Sequence, residues 1–307
     1  MSGYFAALSA ANVLVELAER NPDVVLLTQD FGAIRGFTER FPERHFDLGI
    51  SEANLVGVAA GMAHAGMLPF VLAMAPFVSM RAFEQIRDDC AYNRNNVKFI
   101  APFAGLEAGP WGATHHAIED IALLRSIPGM TVLSPADPNE SLRAVRAAAA
   151  IEGPVYVRLG FLSPLEGYEA EFRVGEAVTM REGRDLTLVA TGGCVGTALA
   201  VREALRADGV SARVLNVHTL KPLDRAAIER AARETGLLVT VEEHSINGGL
   251  GGAVGEVLAE LGTGRLARVG LRDVFATEVA PYPELLRLHG LDPAGVEAAA
   301  RGLLGLG

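Results

Sequence analysis

Two cysteines in 307 residues, Cys90 and Cys194, are too few and too far apart for a disulfide framework or a thiolate metal site, so a reducing compartment is expected. Positive charge is scarce. Lys98 and Lys221 are the only lysines, and 27 basic against 37 acidic residues give a formal net charge of −10. That balance argues against nucleic acid or an anionic membrane surface as a partner, because both are bound by neutralising phosphates. No stretch of about 18 apolar residues runs without a charge or a helix breaker, so no membrane span is expected. The first twenty residues lack the basic start and continuous apolar core of a secretory signal, and a cytoplasmic location is expected. P-loop, nucleophile-elbow and His/Cys metal-cluster patterns are missing, as are repeats and low-complexity segments.

What is present suits a globular protein with a sizeable core: 50% hydrophobic residues, 21% charged and 6% aromatic. Short β-branched runs alternate with segments of helical period, the pattern of parallel sheets covered by helices. Strands are expected at 24–28, 70–73, 97–101, 131–134 and 155–159, with helices at 8–20, 52–65, 78–89, 118–125 and 139–150. After 163–167 the chain turns acidic and loses its period, which reads as a linker. Alternation restarts with strands at 186–190, 212–217, 237–241 and 267–271 and helices near 195–207, 224–235 and 251–261. Asp292 is the expected N-cap of a last helix reaching about residue 304. The fold class is therefore α/β with two parallel-sheet domains: 1–165, a linker at 166–185, and 186–307.

Three segments stand out for chemistry. In the first, Gly49-Ile50-Ser51-Glu52 runs into a small-residue helix; Ser51 can cap it, and the macrodipole favours a carboxylate at Glu52 with or without a catalytic role. In the second, Phe77 follows a strand end, where α/β sheets bind ligands, and reads either as core or as a ring-stacking platform. In the third, Gly109-Pro110-Trp111-Gly112 exposes a loop before His115 and His116. Imidazoles there suit proton transfer or polar recognition, but adjacent side chains diverge and do not serve one site together. Asn247-Gly248-Gly249-Leu250-Gly251-Gly252 invites a phosphate reading, yet it departs from G-x-G-x-x-G at Val254, so a turn and helix packing account for it more simply.

Taken together, Phe41-Pro42-Glu43-Arg44-His45-Phe46, Gly49-Ile50-Ser51-Glu52, Gly112-Ala113-Thr114-His115, Ile118-Glu119-Asp120, Ser134-Pro135-Ala136-Asp137 and Glu242-Glu243-His244-Ser245 resemble the C-terminal section of thiamine diphosphate-dependent transketolases, from about residue 8 to 304. The resemblance extends more loosely to 1-deoxyxylulose-phosphate synthases and to the β subunits of 2-oxo acid dehydrogenase first components. It implies a pyrimidine-binding domain followed by a transketolase C-terminal-like domain. Glu52 would share a proton with N1′ of the aminopyrimidine, Phe77 would stack on that ring, and Ile50, Met74 and Met80 would line its pocket. His115 would face the reacting carbons.

The family's Gly-Asp-Gly motif, which holds Mg²⁺ and the diphosphate, does not occur in this chain. The resemblance therefore implies a split enzyme. An N-terminal-half subunit would hold Mg²⁺ and the diphosphate of thiamine diphosphate, most simply in an α₂β₂ heterotetramer with homodimeric contacts. Where transketolases grip a distal phosphate, the matching positions hold Ala7, Ile34, Phe103 and Phe161, and Trp111 replaces a usual aspartate. The expected substrate channel, Phe103, Trp111, Phe161 and Arg35, is thus apolar apart from Arg35, which could compensate. The expected reaction is transfer of a two-carbon ketol unit to an aldehyde-type small molecule other than a standard sugar phosphate. Two alternatives stand beside it: a β-like subunit of a 2-oxo acid dehydrogenase or decarboxylase component delivering an acyl unit to a lipoyl carrier, and a non-catalytic assembly subunit. The joint presence of Glu52, Phe77 and His115 argues against the last.

Overall fold

Strand runs such as Val24-Val25-Leu26-Leu27 are apolar at every position, which a strand tolerates only when both of its faces are covered. The computed structural model describes residues 3–31 and 34–306, the side chains of 3–9 and 11 excepted, and covers both faces in this way. Val24 and Leu26 pack with Val13, Leu14 and Val145 on one side, while Val25 and Leu27 pack with Leu55, Val56 and Ala59 on the other.

The first sheet is built from α1 (Gly3–Arg20), β1 (Val24–Thr28), α2 (Phe37–Arg40), β2 (His45–Asp47), α3 (Glu52–His64), β3 (Leu68–Leu72), α4 (Ala75–Arg81), α5 (Phe83–Gln85), β4 (Lys98–Ala101), α6 (Asp120–Ser126), β5 (Thr131–Leu133), α7 (Pro138–Ala150) and β6 (Val155–Arg158). The second takes β7 (Val178–Arg181), β8 (Leu186–Ala190), α8 (Cys194–Ala207) and β9 (Ala212–Asn216). After β10 (Thr219–Lys221) come α9 (Arg225–Glu234), β11 (Leu237–Ser245), α10 (Leu250–Leu261), β12 (Arg265–Leu271), α11 (Tyr282–Leu288) and α12 (Pro293–Leu304). Strand orders are β10-β5-β6-β4-β3-β1-β2 and β12-β11-β8-β9-β7. All pairings are parallel except those of the two edge strands β10 and β7.

Those edges are where the sequence-based expectation is corrected. The stretch read as an aperiodic linker contains β7, whose alternating half-buried and exposed residues pair antiparallel with β9. β10 leaves the second half of the chain and pairs with β5 of the first sheet, Thr219 opposite Leu133. The helix expected at 78–89 is broken: α4 ends at Arg81, and Ile86–Tyr92 winds more widely than an α-helix. The two sheets are further joined through Arg158. Its Nε donates to Asp120 Oδ2 at 2.8 Å, and its Nη2 donates to the Glu243 carbonyl at 2.9 Å and that of Ala117 at 3.1 Å. Tyr156 Oη also donates to Asp120, at 2.8 Å, so this buried carboxylate has both a charged and a neutral donor.

Candidate active site

After β1 the chain runs to β2 on one side of it, then returns to β3 on the other. Such a reversal opens a crevice beyond the carboxyl ends of the two inner strands. A cavity of about 330 Å³ lies there, lined by Gln29, Asp30 and Phe31 after β1, Ile50, Met74 and Phe77 around β3, Phe103 after β4, and Trp111 and His115. Asp47 at the end of β2 accepts from the backbone N–H groups of Asp30 (3.0 Å) and Gly49 (2.9 Å), tying together the loops that carry two of its walls. Asp30 and Phe103 both adopt left-handed backbone, with φ of 48° and 61°. Strain of this kind at non-glycine residues gathers at binding sites.

Pro76 sits in the first turn of α4, where its fixed φ and missing N–H cost nothing, and starts the helix that carries Phe77. The Phe77 ring meets His115 edge-on with centroids 5.2 Å apart; Trp111 lies 5.5 Å from His115 and 5.2 Å from Phe103. A continuous aromatic wall results. His115 Nδ1 lies 3.0 Å from the Thr114 hydroxyl.

Glu52 opens α3 and is only 3% exposed. The expected cap is corrected: the Ser51 hydroxyl turns back to donate to the Leu48 carbonyl at 2.8 Å and makes no side-chain cap bond. Instead Arg81 Nη1 donates to both Glu52 oxygens, at 2.9 and 3.1 Å, and its guanidinium carbon lies 4.1 Å from the Phe77 ring centroid. Arg81 was not a candidate from the sequence, because nothing local marks a pairing across 29 residues. Gln29, Asp30 and Phe31 were missed too, although the strand-end rule applied to β1 would have found them.

A second cavity, of about 420 Å³, shares Phe103 and Trp111 with the first and adds Glu107, Ala108, Pro110, Phe161, Pro281 and Tyr282. Phe161 and Tyr282 stack at 4.7 Å with an interplanar angle of 25°. Tyr282 Oη donates to Glu243 Oε2 at 2.7 Å, and Glu243 Oε1 accepts from the Leu106 N–H. Burial lifts the Glu243 carboxyl above the usual carboxylate range, opposed by Arg158 and by those two donors.

The sequence-predicted residues thus divide. Ile50, Met74, Phe77, Phe103, Trp111 and His115 meet in the first cavity, Phe161 belongs to the second, and Glu52 lines neither. Met80, expected in the pyrimidine pocket, lies outside both linings and is 41% exposed. Arg35 is exposed in the turn before α2 and also lines neither cavity. Ile34 is a core residue packed with Phe37, and the Ala7 side chain lies outside the described residues. His115 and His116 part as expected: His116 is buried, with neither ring nitrogen hydrogen-bonded among the described residues. Burial holds its pKa below the ordinary histidine value, with His289 and His115 adding to that effect.

At the glycine-rich turn, Glu242 occupies the helix start. Its oxygens accept from the N–H groups of Leu250 (2.6 Å) and Gly251 (2.7 Å), so the anion site at α10 is filled from within the chain. A Cβ at Gly249 would fall 2.0 Å from Glu242 Oε2, which makes close packing the reason for that glycine.

Fold and site together define a doubly wound α/β protein with an aromatic-lined crevice at its switch point. Family models for the transketolase pyrimidine binding domain and the transketolase C-terminal domain match residues 6–160 and 175–296. The chain belongs to the transketolase family. It is 40% identical over 295 residues to a 6-deoxy-6-sulfo-D-fructose transketolase subunit of Clostridium sp. (94% of this chain, 91% of that one). Identity is 38% over 294 residues to one of the subunits of an apulose-4-phosphate transketolase of Phocaeicola vulgatus (94% of each chain). A split-gene transketolase solved as an inactive β4 tetramer superimposes with a TM-score of 0.90 at 42% identity, covering 98% of both chains.

Proposed function

We propose that this chain is the C-terminal subunit of a two-component, thiamine diphosphate-dependent transketolase that transfers a two-carbon ketol unit to an aldehyde acceptor other than a standard sugar phosphate. The observation that carries the reading is the switch-point cavity, where Ile50, Met74 and Phe77 form an apolar wall with His115, while buried Glu52 lies outside that lining and pairs with the Arg81 guanidinium that rests on Phe77.

This lining fits the pyrimidine half of the cofactor, an aromatic ring with polar edges. It does not fit the diphosphate half, since no Lys or Arg lines the cavity among the described residues. A partner subunit carrying the diphosphate site and Mg²⁺ follows, in an α₂β₂ assembly located in the cytoplasm. Exposed apolar side chains around the cavity mouth support such a cover: Ile50 is 70% exposed and Trp111 53%, and Val279 lies against Gly112.

When bound, the cofactor supplies a nucleophilic carbon able to carry the two-carbon unit between carbonyl compounds. Glu52 holds the proton at N1′, for which it must exchange its bonds to Arg81 for one to the pyrimidine. Phe77 orients the ring by offering an apolar face. His115, edge-on to Phe77, moves a proton to or from the hydroxyl that forms on the acceptor. Phe103 and Trp111 keep water from the reacting atoms.

Calorimetric titration of thiamine diphosphate and Mg²⁺ into this chain, and into its mixture with the diphosphate-domain protein, tests the reading. Binding by the mixture alone is the expected result. Tight binding by this chain alone removes the need for a partner, and no binding in either case removes the cofactor from the proposal.

A further inference from the structure

We infer that the second cavity is a distal acceptor subsite built by both sheet domains, and that it takes a neutral aromatic or bulky apolar group rather than a phosphate. The word acceptor rests on the transketolase reading above; the binding preference rests on the cavity itself.

Four rings and two prolines make the walls: Phe103, Trp111, Phe161 and Tyr282, with Pro110 and Pro281. Among the described residues the lining holds no Lys or Arg, and its one charged side chain is the Glu107 carboxylate, so an anionic group entering here finds no donor cation. Because Phe103 and Trp111 belong to both cavities, the subsite adjoins the crevice that holds His115. A molecule reacting beside His115 can therefore extend its far end over these rings. The volume, about 420 Å³, lies within the range of small-molecule sites.

Tyr282 and Pro281 come from the segment after β12, beyond the domain that carries the first cavity. They are held firmly. Tyr282 is anchored through its hydroxyl to Glu243 and through its ring to Phe161. A Cβ at Gly109 would lie 2.5 Å from the Ala280 carbonyl oxygen, so the Trp111 loop and the 280–282 segment are in direct backbone contact. The second domain thereby fixes one wall of the subsite, and its residues set which acceptor fits.

Trp111 is the sole tryptophan and lines the subsite, so its emission reports occupancy without any turnover. The full chain is titrated with 2-phenylethanol, an unreactive aromatic probe, and with D-erythrose 4-phosphate. A saturable change in Trp111 emission with the alcohol and none with the phosphate is expected. Tyr282→Leu and Phe161→Leu each weaken alcohol binding about two- to twelve-fold, the range for one lost ring contact. Tyr282→Phe, which keeps the ring and loses the Glu243 bond, retains it. No response to the alcohol, equal response to both probes, or unchanged affinity in both Leu variants overturns the inference. So does loss of alcohol binding on adding the partner subunit, which would make the groove a subunit contact. Kinetics in the two-component enzyme separate the two claims. Transfer to 2-phenylacetaldehyde no better than to the phosphate defeats the subsite while the ketol-transfer reading stands. If no aldehyde is used at all, ketol transfer fails and the emission titration alone decides the binding preference.

Discussion

A single nitrogen of Arg81 holds both carboxylate oxygens of Glu52, while the same guanidinium rests on the Phe77 ring. The arginine thus occupies the carboxylate and covers one face of the ring on which the proposed function stacks the pyrimidine. Removing it leaves Glu52 buried without its charged donor. Arg81→Met is expected to lower the stability of this chain by about 1–3 kcal/mol, the cost of an unsatisfied buried polar group. Addition of the partner and thiamine diphosphate should restore more stability to the variant than to the parent, because the cofactor replaces the lost donor. Thermal melts with and without both additions check this; equal shifts in the two proteins contradict it.

Glu52 itself carries the proton in the proposed chemistry. Glu52→Ala in the reconstituted enzyme is expected to reduce turnover by roughly 10²- to 10⁴-fold, the usual worth of a general acid–base group. Near-parental turnover would remove the assignment and leave Glu52 as a structural partner of Arg81.

Phe161 stands where the family resemblance places a phosphate contact, and the structure stacks it on Tyr282 in a lining without Lys or Arg among the described residues. Phe161→Arg supplies a charge-assisted donor and loses the stack. The ratio of kcat/KM for a phosphorylated over an unphosphorylated aldehyde is expected to rise about tenfold or more. An unchanged ratio shows that residue 161 does not meet the acceptor's far end.

Arg158 joins the two domains through Asp120 and two carbonyls, and both charged side chains are almost fully buried. Arg158→Met strands Asp120 and is expected to cost about 3–5 kcal/mol. Changing Asp120→Leu as well should recover part of that loss, since the stranded Asp120 charge is then removed. Denaturant melts distinguish the cases: a double variant as unstable as the single one contradicts the argument.

The fold was legible wherever burial on both faces forces a mostly apolar strand, as in β1, β4, β6, β8 and the first half of β11. It was not legible at β2, β7 and β10, which have three or four residues each, because a short edge strand carries little periodicity. Helix starts with aspartate caps were readable: Asp292 accepts from the Gly295 N–H at 3.1 Å, as its position suggests. Ser51 shows the limit of such reading, since a nearer carbonyl won its hydroxyl. In the site, Ile50, Met74, Phe77, Trp111 and His115 were found because motifs lie contiguous in the chain. Arg81, Asp47, Glu243 and Tyr282 act across gaps from 17 residues to well over a hundred, and only the folded topology brings them to their partners.

His218 gives a pH signature to the seam between the sheets. It is fully buried, its ring stacks on Phe172 at 4.2 Å, its Nδ1 lies 2.9 Å from the Thr219 hydroxyl, and its Nε2 has no hydrogen-bond partner among the described residues. Burial, with Arg143 nearby, pushes its pKa down from 6.5 to about 4. Below pH 6.5 the unfolded chain binds a proton that the folded chain refuses, so this contribution to stability is intact at neutral pH and falls as pH drops toward 4. The loss over that window is roughly 3 kcal/mol at 1.36 kcal/mol per pKa unit. Glu242 acts in the opposite sense. Burial raises its pKa to about 7 against two backbone donors, so the folded chain there gains stability as pH falls from 7. The parent curve alone therefore mixes these two with other shifted groups such as Glu243 and His116, whereas a difference curve isolates one. His218→Phe preserves a ring against Phe172 and cannot titrate. Its stability relative to the parent, followed by urea melts, should improve by a few kcal/mol between pH 6.5 and 4. A constant difference across that range would mean that His218 is protonated in the folded chain as readily as in the unfolded one.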